Sequence, residues 1–143
     1  MSVSLPKKIL AAVDGSEPSL KAVSYAAQLA KLTDSKLLVL TVILLPSSAS
    51  LETVERVRKD LSTKAKEILE RSKSAAKQFN VDPETKIVET DRSVVETIVG
   101  SSESERADLI VLGSKGVTMG KMMLGSIAAG TVNLSRLSVL VAR

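Results

Sequence analysis

The sequence has no cysteine and no histidine in 143 residues. The first absence excludes disulfide scaffolds, thiol catalysis and Cys-based zinc sites. The second removes Ser-His-Asp catalysis, histidine general bases and most transition-metal sites. Aromatic side chains are nearly missing as well, with Tyr25 and Phe79 alone in the chain. Two such residues make no base-stacking platform, so nucleic acid is not an expected partner. No apolar run approaches the roughly 18–20 residues of a membrane span, and no membrane partner is expected. Met1 to Pro6 is too short for a signal peptide before Lys7 and Lys8 lead into a strand-like run. The expected location is cytoplasmic.

What is present is a globular balance, 44% hydrophobic and 25% charged. The length suits one domain over residues 1–143, able to bury about two thirds of its unfolded surface. The net charge is +4, and Leu51–Lys77 carries eight basic and five acidic residues, a net +3. Most of the surplus therefore lies along one polar helix face, which reads as solvated.

Ile9-Leu10-Ala11-Ala12-Val13 is apolar without alternation, the pattern of a strand buried on both faces of a parallel sheet. Ser16 then suits an N-cap, with Glu17 and Pro18 in the first turn and Leu20, Val23, Ala26, Ala27 and Ala30 at helical spacing. A second buried run from Lys36 ends at Val42. An amphipathic helix is expected from Leu51 to about Asn80, with Phe79 on its apolar side and Pro83 beyond it. Lys86 to Thr90 is a weaker third strand. Ser93 and Glu96 form a capping box for a helix ending near 101–105. Asp108 to Leu112 is the fourth strand, a last helix opens near Ser126, and Leu137 to Val141 is the fifth strand. The alternation predicts α/β architecture: right-handed crossovers and an open parallel sheet, Rossmann-like, with helices on both faces. Such sheets bind ligands beyond the carboxyl ends of their strands, at the topological switch point.

Two segments leave those ends with distinctive chemistry. The stretch from Gly113 to Ser126 holds four of the seven glycines in fourteen residues. Backbone amides in such a loop, between a strand end and a helix start, can cradle phosphate oxygens, aided by Ser126, Lys115 or Lys121. The alternative is a tight connection whose glycines serve only its turns. It is not a P-loop, because Met122 stands where a Ser or Thr would hold magnesium, and no Gly-x-Gly-x-x-Gly fingerprint exists. The second segment contains Asp14, whose carboxylate suits ribose hydroxyls or, equally, a turn beside Gly15. Val42 reads as core by itself, and Met122-Met123-Leu124 as packing for the loop.

Taken together, Ala-Val-Asp-Gly-Ser near the start, Leu-Thr-Val in the second strand, Ala-Asp-Leu-Ile-Val-Leu-Gly-Ser-Lys-Gly, Met-Leu-Gly-Ser and the late Ser-Val-Leu-Val identify a resemblance. Over essentially its whole length the chain resembles the universal stress protein (UspA-like) family. The resemblance implies strand order 3-2-1-4-5, a homodimer pairing through Leu137 to Val141, and a nucleotide-dependent regulatory role in stress response. It also implies ATP, accompanied by magnesium, as the bound ligand. Ala12, Val13 and Val42 would line the adenine, Asp14 would hold the ribose, and Gly113, Lys115, Gly116, Gly125, Ser126 and Ile127 would surround ribose and phosphates. Family members that bind ATP carry nine residues between Gly-x-x-Gly and Gly-Ser, whereas only eight, Val117 to Leu124, lie there in this chain. The missing residue shortens the reach by up to about 3.5 Å, so base and ribose contacts carry over more firmly than terminal phosphates. The short loop leaves open a nucleotide-free scaffold acting through an unnamed protein partner. It also leaves a slow ATPase or phosphotransferase with Ser114, Thr118 or Ser126 as acceptor, although no histidine base exists. The chain lacks the family's proline before the last strand. Gly130 is expected to weaken the last helix by up to about 1 kcal/mol relative to Ala.

Overall fold

Five parallel strands alternate with four helices in a computed structural model that describes residues 4–115 and 123–143. They are β1 (Lys8–Ala12), α1 (Glu17–Thr33), β2 (Lys36–Leu44), α2 (Leu51–Lys77) and β3 (Glu84–Thr90). After these come α3 (Val94–Ser104), β4 (Leu109–Gly113), α4 (Ser126–Leu134) and β5 (Ser138–Ala142). The sheet order is β3-β2-β1-β4-β5, as the resemblance implies, and every pairing is parallel.

The unalternating strands have two buried faces because successive residues feed two cores. Ile9, Ala11, Leu37, Val39 and Val111 face α1 and α2, meeting Ala22, Val23, Ala26, Leu69 and Ala76. Leu10, Ala12, Leu38, Leu40, Ile110 and Leu112 face the other way, toward Ile98 of α3 and Ala128 of α4. Small residues on α1 let it lie close to the sheet: its four alanines, Ala22, Ala26, Ala27 and Ala30, are buried, and Ala11 of β1 is buried beneath them.

Helix starts follow the expected chemistry. The side chains of Ser16, Ser50 and Ser93 accept from the amides of Ser19, Thr53 and Glu96. Strand β3 starts at Glu84, two residues before the expected Lys86, and β1, β4 and β5 are displaced by one residue from expectation, β5 being Ser138–Ala142 and not Leu137 to Val141. Two further differences have a clear physical reason. Helix α2 stops at Lys77, not at Asn80, because Asn80 enters the left-handed region (φ 59°) and Val81 N bonds back to Ala76 O at 3.3 Å. Phe79 thus packs on the core from outside the helix. Strand β2 continues past Val42 to Leu44, since Val42, Ile43 and Leu44 still pair with Val88, Glu89 and Thr90. On its other side β2 has already outrun β1, whose last paired residue is Ala12 opposite Leu40. That overhang puts Val42 level with the turn that leaves β1.

Glycine at 130 has a packing reason that periodicity does not reveal. A Cβ there would lie 2.8 Å from Val95 Cγ2, so the missing side chain is what lets α4 seat against α3. Its expected weakening of the helix is one side of a balance whose other side is this contact.

Candidate functional site

Strand order reverses at β1: the connection from β1 leads to β2 on one side, while β4 lies on the other, all in the same direction. A cavity of about 240 Å³ opens there, beyond the carboxyl ends of these strands. Its floor is apolar, made by Ala12, Val13, Val42 and Leu112 from the strands, Val94 and Ile98 from α3, and Ala128 from α4. Its polar rim is Asp14, Ser19, Lys115 and Ser126, with Gly113 and Gly125 contributing backbone. An apolar floor with few convergent polar groups is the usual form of a small-molecule site.

The β1–α1 turn is fixed by its own side chains. Asp14 Oδ1 accepts from Ser16 N at 2.9 Å, and Ser19 Oγ donates to Ser16 O at 2.9 Å while accepting from Asp14 N at 3.4 Å. Asp14 thus serves the turn and faces the cavity at once, so the two readings of its carboxylate coexist. Thr41, buried beneath, donates its hydroxyl to Val13 O at 2.9 Å and holds the strand end in place.

The glycine-rich loop is pinned at both ends by one residue. Ser114 N donates to Ala142 O at 2.7 Å, and Ser114 O accepts from Gly125 N at 2.6 Å. Gly113 sits where a Cβ would come within 2.7 Å of Pro18 C and Ser19 N, so only glycine lets β4 end this close to the first turn of α1. Gly125 caps α4 without a side-chain bond, and the first helical hydrogen bond runs from Ala129 N to Gly125 O at 2.9 Å. The amides of Ser126, Ile127 and Ala128 therefore lack acceptors within the helix, and all three residues line the cavity. Such a helix start favours anionic oxygens.

Nine of the expected site residues meet in this cavity: Ala12, Val13, Asp14, Val42, Gly113, Lys115, Gly125, Ser126 and Ile127. Gly116, the tenth, lies outside the described residues, as does Thr118. Val13 is shared with the α1-side core, whereas Ile127 is 39% exposed. Met123, expected to pack the loop, is 71% exposed; Leu124 alone of the described pair packs against the core. Five wall residues went unpredicted: Ser19, Val94, Ile98, Leu112 and Ala128. Val94 and Ile98, four apart on one helical face, carried a signal of a buried stripe but not of a cavity wall. Among the described residues no group of three or more acidic side chains is placed to hold a metal.

A family model described as the universal stress protein family matches residues 6–143. A universal stress protein of Methanocaldococcus jannaschii is 31% identical over 146 residues, which span 97% of this chain and 83% of the relative. The crystal structure of a universal stress protein in complex with cAMP matches with a TM-score of 0.78 at 28% identity, over 98% of this chain and 99% of that one. The universal stress protein UspA of Lactobacillus plantarum shares the fold at a TM-score of 0.84 and 22% identity, over 96% and 97% of the two chains.

Proposed function

The chain belongs to the universal stress protein family, and on that premise we propose that its cavity binds an adenine nucleotide, ATP in particular. In this reading the protein is a cytoplasmic regulatory dimer whose behaviour in stress depends on nucleotide occupancy. One observation carries the proposal: a single cavity at the switch point holds the Asp14 carboxylate and the uncapped start of α4 around an apolar floor. The floor suits a purine, the carboxylate suits ribose hydroxyls, and the free amides with Ser126 suit phosphate. That a relative of similar length carries cAMP supports an adenine ligand. Magnesium would arrive with the polyphosphate rather than be held by a dedicated carboxylate cage.

The dimer is proposed at β5. The two sheet edges differ: β3 is laced with charge, Arg58 pairing with Glu89 at 2.9 Å and Lys86 with Glu105 at 3.2 Å. Strand β5 presents Val139, Leu140 and Val141 half-buried at an unpaired edge, and none of its five residues is charged. Charge blunts an edge against pairing, and its absence invites it.

Titration calorimetry with ATP and magnesium, AMP and cAMP tests the nucleotide reading. Saturable heat with at least one of them is expected. Silence with all three at millimolar ligand rejects it and favours a nucleotide-free scaffold, which the eight-residue spacer of the loop already suggests.

A further inference from the structure

We propose that Ser19 is the positioning residue for Asp14, an inference that rests on the nucleotide reading above. Ser19 is only 3% exposed and yet lines the cavity. It is the third residue of α1, where a capping side chain ordinarily reaches back to the amide of the cap residue. Here that amide, Ser16 N, is taken by Asp14 Oδ1 at 2.9 Å. The Ser19 hydroxyl instead takes the amide of Asp14 itself, at 3.4 Å, and donates to Ser16 O at 2.9 Å. The exchange ties Oδ1 of Asp14 into the turn while the residue lines the cavity. Ser19 therefore sets the backbone from which the carboxylate projects.

The position of Ser19 is itself enforced from across the sheet. Its backbone abuts Gly113, where even a methyl group would approach Ser19 N to 2.7 Å. Ser16 Oγ accepts from Ser19 N at 3.3 Å and reaches Lys115 O at 3.5 Å, so the turn and the start of the glycine-rich loop share one set of hydroxyls. The contact fixes the backbone of Ser19, and its hydroxyl makes the exchange.

The consequence is specific to the sugar. If Asp14 grips ribose, loss of the Ser19 hydroxyl should weaken ligands that have ribose hydroxyls and spare those that lack them. The test is calorimetry with AMP and with 2′,3′-dideoxyadenosine monophosphate on the wild type, Ser19→Ala and Ser19→Cys. The wild type should prefer AMP. Ser19→Ala should weaken AMP about tenfold, the size of one lost hydrogen bond, and leave the dideoxy nucleotide within about twofold. Ser19→Cys, of nearly equal volume and weaker bonding, should fall between, and it carries the comparison should the alanine variant fail to fold. Equal weakening of both nucleotides, or an unchanged preference for AMP, overturns the positioning role while nucleotide binding stands. A wild type that binds neither nucleotide removes the nucleotide reading, and this inference with it.

Discussion

Asp14 holds a turn and lines the cavity, and its structural role separates from its proposed binding role by substitution. Asp14→Asn keeps an oxygen able to accept from Ser16 N, whereas Asp14→Ala does not. The expected outcome is near wild-type stability for the asparagine variant and a loss of about 1 kcal/mol for the alanine variant in urea denaturation. Both should lose nucleotide affinity in the same calorimetric assay. Equal melting of the two variants would show that the turn does not rely on that oxygen. At this scale the sequence exposed Asp14 but could not choose between capping and binding, because both use an acceptor oxygen beside a glycine. Gly113 was legible as a loop glycine only. Its contact with Pro18 and Ser19 joins residues nearly a hundred positions apart, and nothing local announces it.

Among the elements, helix ends and strand centres were readable, since caps and apolar runs are local. What lay hidden was where elements touch. Gly130→Ala is the test. Helix propensity alone favours the substitution by up to about 1 kcal/mol, while overpacking against a stiff β-branched side chain costs about 1–3 kcal/mol. With Val95 Cγ2 2.8 Å from the new methyl, destabilisation should win in thermal melting. The same substitution made on a Val95→Ala background should be neutral or stabilising. A higher melting temperature for Gly130→Ala alone would refute the contact.

Ion pairing also works between elements. Glu105, just after α3, meets Lys8 Nζ of β1 at 3.1 Å and Lys86 Nζ of β3 at 3.2 Å. Hydrogen bonds from Lys8 and then Lys86 hold its carboxyl below the ordinary glutamate value. A lowered folded value means that the stabilisation is present above the unfolded value of about 4.3 and is lost as pH falls through the folded one. Glu105→Gln should therefore melt lower than wild type at neutral pH, with the gap closing below about pH 4. A gap independent of pH would assign the effect to packing.

For the whole molecule, topology was predictable because alternating elements and right-handed crossovers leave few arrangements. Assembly was legible only through the resemblance, since edge strands look alike in sequence until their neighbours are placed. With β3 charged and β5 bare, sedimentation should find a dimer, and Val139→Lys or Leu140→Lys should shift it to monomer without unfolding it. A wild type that sediments as a monomer at high concentration would remove the β5 interface.

The peptide of Ser114 has one more implication. It cinches the departure and the return of the glycine-rich segment to each other and to the final residue pair of the sheet, whatever number of residues runs between. Closing a bight of ten rather than eleven residues changes the entropy by only about 0.1 kcal/mol. Length there is thus a nearly free variable, open to tuning the mouth while its hinges stay where they are.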